Sequence, residues 1–144
     1  MEGDEAKALF RRYIDELANR GNMDAADELV AEAVIEHEGP PPGSPSGRAG
    51  VKHFFAMLRR AFPDIRVTVE DQLADGDRVA SRVVCRGTHR GEFMGIPASG
   101  KRVHYEAIDI VRISEGQVVE HWGVTDTFAL LQQLTALPEP DGTP

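Results

Sequence analysis

The order of hydrophobic patterns along the chain restricts its fold more than any other feature of the sequence. Up to residue 61 the apolar residues recur at helical spacing, over residues 4–20, briefly after Asp24, and again over residues 48–61. Between residues 65 and 126 the pattern changes to alternating, β-branched segments separated by turn residues. Helices followed by consecutive strands predict an α+β fold in which the helices pack on one face of a curved antiparallel sheet.

Turn residues delimit the individual elements. The first helix is expected to end near Gly21, because glycine favours a helix C-terminus. The predicted strands cover residues 34–37, 65–73, 78–87, 102–113 and 117–126. A Pro/Gly/Ser-rich loop follows the first of these strands at residues 39–47. The last helix is predicted over residues 128–134 with Asp126 as its N-cap, and residues 138–144 are predicted to be a flexible tail.

Composition narrows the classes of protein to which the chain can belong. Its 144 residues and 41% hydrophobic content fit one globular domain, and its formal net charge of −8 argues against nucleic acid or an anionic membrane as partner. With no membrane-length apolar run and an acidic N-terminus unlike a signal peptide, we expect a cytoplasmic protein. Cys85 is the single cysteine, and neither a phosphate-binding loop nor paired metal-ligand spacing is present. We therefore expect no metal and no other cofactor.

The pairing in the last hairpin can be derived from its turn. A two-residue turn would require a positive φ at Glu115, whereas a three-residue loop requires it only at Gly116. The three-residue loop is therefore the prediction, and it places Asp109 opposite His121 on one face of the sheet. The two-residue turn would instead pair His121 with Ile110 and separate it from the aspartate.

Asp109 and His121, if opposed, form a candidate acid/base pair. The carboxylate would fix the tautomer of the imidazole and raise its pKa, giving a proton carrier near neutral pH. The alternative is a solvated ion pair, or a buried histidine satisfied by its neighbour. His37, just before the Pro/Gly loop, is a candidate polar contact at a cavity mouth or else a surface residue, and His89 is expected to be exposed.

Three motifs in the sequence together resemble the SnoaL-like polyketide cyclase family of the nuclear-transport-factor-two-like superfamily. They are AFPD at residues 61–64, GTHRGEFMGIPASGK at residues 87–101, and VVEHW at residues 118–122 followed by Asp126. Their spacing agrees with the family from about residue 7 to residue 134. The resemblance predicts that residues 1–144 form a single domain of this family.

The fold that the resemblance implies is a cone-shaped barrel. In it a strongly bent antiparallel sheet wraps around N-terminal helices packed on its concave face and leaves a deep, mostly apolar pocket. Such a pocket suits a bulky hydrophobic molecule. The resemblance also implies a homodimer joined through the sheet. The side chains that we expect to contact the substrate in the pocket are His37, Phe54, Phe93, Met94 and Tyr105.

The function that the resemblance implies is a tailoring step on an aromatic polyketide. Well-known members of the family close the last ring of anthracycline-type polyketides by an intramolecular aldol condensation, without a metal or cofactor. In them the acid/base carboxylate lies two residues after the motif histidine, where this chain has Gly123. Asp109 is therefore expected to act with His121 as the catalytic pair.

Two alternatives to ring closure stay open. Related proteins of the same fold are implicated in hydroxylating anthracycline intermediates, and Gly123 in place of the cyclase carboxylate favours that reading. The other alternative is a non-catalytic small-molecule binding module, which would follow if Asp109 and His121 pointed out of the pocket.

Overall fold

The computed structural model describes residues 2–136 of the chain. Helix α1 (Glu2–Ile14) continues into a π-helical turn (Asp15–Asn19), and α2 (Ala25–Leu29), β1 (Val30–Glu36) and α3 (Gly47–Ala61) follow. Four strands come next, β2 (Arg66–Asp75), β3 (Arg78–Thr88), β4 (Arg102–Ser114) and β5 (Gln117–Thr125), before the last helix, α4 (Thr127–Thr135). The order of helices and strands agrees with the sequence prediction, while the predicted tail at residues 138–144 lies outside the described residues.

The sheet confirms the α+β prediction and adds one parallel pairing. Within residues 2–136 the five strands form a curved, unclosed sheet in the order β1-β5-β4-β3-β2. Strands β2 to β5 are an antiparallel meander, as predicted. Strand β1 pairs in parallel with β5, which no local pattern in the sequence indicated. This pairing places the end of β1 and the loop after it beside the second half of β5.

The hydrophobic core lies between the helices and the inner face of the sheet. Tyr13 of α1 packs its ring edge-on against Phe55 of α3, at 5.6 Å between centroids. On β4 the inner face is defined by buried alternate residues, whereas Ile108 and Ile110 between them are 54% and 37% exposed. Each large apolar side chain buried at this interface contributes about 1.5–3 kcal/mol, so the interface holds the helices on the sheet. Fully enclosed members are Phe10, Leu17, Leu29, Phe62, Val79, Val111 and Leu130.

The turn between β4 and β5 differs from the prediction. Ser114 pairs with Gln117, so the turn has two residues, and the predicted three-residue loop is wrong. Glu115 adopts a φ of 52° and Gly116 a φ of 75°, as in a type I′ turn. The right-handed twist of the two strands favours this turn type enough to offset the steric cost at Glu115.

A β-bulge in β5 then changes the pairing of the rest of the hairpin. The register shifts by one residue partway along the strand, so Val119 is an extra residue in β5. Because side chains alternate along a strand, one extra residue reverses which of the following side chains face the helices. Asp109 pairs with Gly123, and the prediction that it lies directly opposite His121 is wrong.

Two further sequence predictions can be compared with the structure. Asp126 is the N-cap of α4, as predicted, since its Oδ1 accepts a hydrogen bond from the backbone nitrogen of Ala129 at 3.0 Å. His89 was expected to be exposed but is fully buried. The loop after β3 folds over the end of α3, and this places the ring of His89 5.7 Å from that of Phe62 between centroids.

No helix in the described part of the chain combines the length and the hydrophobicity needed to cross a membrane.

Replacing Glu115 by asparagine is expected to stabilise the protein. Asparagine tolerates the left-handed conformation better than glutamate, so relief of the strain is worth up to about 1 kcal/mol in the free energy of unfolding. Urea unfolding of the wild type and the variant measures the difference. Glu115→Gln is the matched control, because it removes the same charge without favouring a positive φ. Equal stabilisation in both variants would assign the effect to charge and contradict the turn argument.

Candidate active site

A buried histidine lies between two carboxylates on the inner face of the sheet. His121 is 8% exposed. Its Nδ1 lies 2.5 Å from Oε1 of Glu36, and its Nε2 lies 2.7 Å from Oδ1 of Asp109. Ionised carboxylates only accept hydrogen bonds, so both ring nitrogens donate and the ring is an imidazolium.

Three local features bring these side chains together. The parallel pairing of β1 with β5 sets Glu36 beside His121. The bulge at Val119 turns His121 to the inner face, where it lies diagonally across from Asp109 rather than directly opposite. The space between the two is left open by Gly123. A Cβ atom there would lie 2.9 Å from Oδ1 of the aspartate and 2.9 Å from Cε1 of the histidine.

The charge of the two carboxylates keeps His121 protonated. Burial disfavours the charged ring, but the hydrogen bonds and negative charges of Asp109 and Glu36 outweigh it and raise the pKa of His121 from 6.5 to about 10. This pKa is above the near-neutral range expected from Asp109 alone, because Glu36 is a second carboxylate. Because the pKa of His121 is higher in the folded state, protonation of this residue stabilises the fold. The stabilisation is complete below pH 6.5 and is lost as the pH rises through about 10.

A third carboxylate, Glu38, lies beside this pair. Its Oε2 accepts a hydrogen bond from the hydroxyl of Thr125 at 2.9 Å. Burial raises the pKa of Glu38, and the charges of Asp109 and Glu36 add to the effect, whereas the Thr125 hydroxyl and His121 oppose it. One polar atom from each of Glu38, Asp109 and His121 lies within 4.8 Å of the others.

The same three atoms are close enough together for a small cation, but the ring geometry favours a proton network. A metal ion needs a lone pair on the imidazole, and here both nitrogens of His121 are directed at carboxylates as donors. Binding a cation would therefore require the hydrogen bond to Asp109 to break. As arranged, this cluster of His121 with Glu36, Glu38 and Asp109 can hold charge and transfer protons.

Two buried tyrosines and a cysteine line the inner face near the cluster. Burial raises the pKa of Tyr13 well above 10, and the charges of Asp109, Glu36 and Glu38 contribute. Burial also raises the pKa of Tyr105, which interacts with Cys85. Both phenols are therefore neutral donors at physiological pH. Burial raises the pKa of the Cys85 thiol to about 12, which makes it a poor nucleophile.

His37 lies on the other face of the sheet from His121. Its ring stacks on Trp122 at 4.9 Å between centroids and 7° between planes. Its Nε2 lies 2.7 Å from Oε2 of Glu120. Glu120 and Trp122 flank His121 in β5, so their side chains point to the opposite face. The structure does not bring His37 to the acid/base pair.

The residues predicted as apolar walls occupy different parts of the fold. Tyr105 lies on the inner face of β4, on the same side as Asp109. Phe54 of α3 is 39% exposed, and Met94 in the loop between β3 and β4 is 63% exposed. Phe93 in that loop is buried against Phe62, at 5.3 Å between centroids.

The deep apolar pocket stays a prediction. The surface carries depressions of about 440 and 370 Å³. The larger is lined in part by Ile108, Val124 and Phe128, and it reaches Thr125, which hydrogen-bonds Glu38. The smaller is lined in part by Arg66, Arg86 and Arg102.

Glu36 and Glu38 were not predicted as site residues, although the sequence carries a signal for both. The strand segment reads Val34, Ile35, Glu36, His37, Glu38. Alternation puts both glutamates on the face of the buried valine and the histidine on the other face. What the segment could not show is that this face meets His121, because that depends on the parallel pairing of β1 with β5.

Comparison with known proteins agrees with this fold over nearly the whole chain. A family model described as SnoaL-like polyketide cyclase matches residues 8–134. The chain is 28% identical over 141 residues to aklanonic acid methyl ester cyclase DnrD of Streptomyces peucetius, covering 93% of this chain and 94% of that protein.

Solved structures give the same result. The structure of TsrD from Streptomyces laurentii is similar with a TM-score of 0.83 and 27% identity, over 93% of this chain and 97% of that one. The structure of AclR from Streptomyces galilaeus, a candidate hydroxylase, is similar with a TM-score of 0.78 and 29% identity, over 96% and 86% of the two chains. With the family model matching residues 8–134, this chain belongs to the SnoaL-like polyketide cyclase family.

Proposed function

We propose that this protein is a tailoring enzyme that closes a ring in a bulky aromatic polyketide by an intramolecular aldol-type reaction. The observation that carries the proposal is the imidazolium of His121, buried on the inner face between Glu36 and Asp109. Similarity to an aklanonic acid methyl ester cyclase supports the class of substrate. The protein would act in the cytoplasm with acid/base groups of its own and without a cofactor.

The cluster has the groups that such a reaction needs. A carboxylate removes a proton from an activated carbon, and the resulting enolate carbon attacks a carbonyl carbon of the same molecule. A new carbon–carbon bond forms, and the carbonyl oxygen becomes a hydroxyl after it takes up a proton. The positive charge of His121, held in place by Asp109, favours the negative oxygen that develops during this step. The product has the same mass as the substrate.

The first test is turnover of aklanonic acid methyl ester by the purified protein, followed by liquid chromatography with mass detection. We expect a product of unchanged mass and altered retention, because ring closure only rearranges bonds. Binding of the ester without turnover would contradict the proposal and favour the non-catalytic binding module.

Hydroxylation is the second candidate function. It is supported by Gly123, which takes the place of the carboxylate expected in a cyclase, and by the similarity to the candidate hydroxylase AclR. This reaction would add one oxygen atom from dioxygen and would consume a two-electron reductant. A product that gains one oxygen atom only when air and a reductant are supplied would replace ring closure by this function.

Asp109→Asn is expected to lower activity with little loss of stability. Asparagine keeps an oxygen that accepts from Nε2 of His121 but carries no charge, so the pKa of the imidazole falls and the positive charge is held less firmly. We expect turnover to fall by about tenfold or more, which corresponds to about 1.4 kcal/mol or more of transition-state stabilisation. Turnover kinetics and a proton NMR titration of His121 measure the two effects.

The control for this variant is Asp71→Asn. Asp71 also pairs with a cation, Arg82, but it is exposed on the outer face. Its replacement should leave turnover unchanged. An Asp109→Asn protein as active as the Asp71→Asn control would contradict the role assigned to Asp109 and His121.

A further inference from the structure

The three carboxylates of the cluster differ in what holds them. Asp109 and Glu36 each accept a short hydrogen bond from the His121 imidazolium. One side-chain oxygen of Glu38 is held by Thr125, and within residues 2–136 no hydrogen bond holds the other. Asp109 and Glu36 also each have one oxygen without a hydrogen bond within that range, but both are bound to the imidazolium through their other oxygen. Glu38 is therefore the carboxylate of the three that does not hydrogen-bond the imidazolium, and its second oxygen is available for a substrate proton.

The available oxygen of Glu38 lies where a side chain of residue 123 would begin. A Cβ atom built on Gly123 would be 2.6 Å from Oε1 of Glu38. This is the position at which resemblance to the cyclases leads one to expect the acid/base carboxylate. In this chain a carboxylate reaches the same place from the segment after β1 instead of from β5.

The electrostatic surroundings of Glu38 also suit proton transfer. The titratable groups that influence or adjoin it are Tyr13 of α1, Glu36 of β1, Tyr105 and Asp109 of β4, and His121 of β5. A single imidazolium cannot balance three carboxylates. Burial and the two neighbouring negative charges raise the pKa of Glu38, which moves it towards neutral pH, where a general base is most effective.

We propose that Glu38 is the residue that transfers the proton during ring closure, an inference that rests on the proposed function. Its carboxylate takes the proton from the activated carbon, whose electron pair forms the new carbon–carbon bond to the carbonyl carbon. The protonated Glu38 then returns the proton to the oxygen of the former carbonyl. The carboxylate is regenerated, and no oxidant or reductant takes part.

The decisive variant is Glu38→Gln, which keeps the size of the side chain and an oxygen for the Thr125 hydroxyl. We expect turnover of the ester to fall by about 10²–10⁴-fold, the usual contribution of general acid–base catalysis. In the wild type the rate should rise with pH as Glu38 loses its proton, and the variant should lack this rise. Glu32→Gln, at an exposed position of β1, is the matched control and should leave the rate and its pH profile unchanged.

Moving the carboxylate to β5 gives a second test. In Glu38→Ala the space above residue 123 is vacated, and the added Gly123→Asp substitution places a carboxylate there. The new Cβ would lie 2.9 Å from Oδ1 of Asp109 and 2.9 Å from Cε1 of His121, so both side chains must shift to admit it. We expect the double variant to be at least tenfold faster than Glu38→Ala. Thermal unfolding of each variant separates lost folding from lost chemistry.

A deuterium-exchange measurement distinguishes failure of this inference from failure of the proposed function. The same ester is incubated in D₂O, and deuterium uptake at carbon is followed by mass detection. Uptake by the wild type without ring closure would contradict ring closure, and its loss in Glu38→Gln would still support Glu38 as the base. Equal uptake, or equal ring closure, by wild type and Glu38→Gln would overturn the inference. Neither uptake nor closure by the wild type would overturn both.

Discussion

A protonated histidine can remain buried only where nearby carboxylates compensate its charge, because burying an unpaired ion costs several kcal/mol. In this protein the compensation comes from two other strands, since Glu36 belongs to β1 and Asp109 to β4. The sheet order therefore does more than close the core. With β5 between β1 and β4, the imidazolium of His121 reaches a carboxylate on either side.

Gly123 is part of the same arrangement. The site is compact because residue 123 has no side chain, so Asp109 and His121 can meet across the space and the carboxylate of Glu38 can enter it. Absence of the expected carboxylate from β5 is thus compatible with an acid/base site, provided that another element supplies the carboxylate. A residue-by-residue transfer of roles from relatives would overlook this exchange.

The sequence was sufficient to predict the helices and strands, but not how distant strands pair in the sheet. Helices and strands follow from apolar periodicity and turn residues, which are local, so their order could be predicted. The parallel pairing of β1 with β5 joins segments far apart in the sequence, so it could not be predicted. Glu36 and Glu38, which reach the site through this pairing, were therefore not predicted either. The contact between Asp109 and His121 was predicted from a wrong register. The two-residue turn and the bulge at Val119 each shift the pairing of β5 by one residue. Either shift alone would put Asp109 and His121 on opposite faces of the sheet, and the two together return both side chains to the same face.

The bulge also gives β5 a spare residue, with a consequence for how the chain tolerates changes in length. Loss of one residue near Val119 can be absorbed if the strand straightens, and His121 then keeps its side of the sheet. An inserted residue at that point could not be absorbed in the same way, because the strand already contains its extra residue, and it would turn His121 to the outer face. In relatives, a one-residue gap at this position is therefore compatible with the same site, whereas a one-residue insertion signals a different inner face.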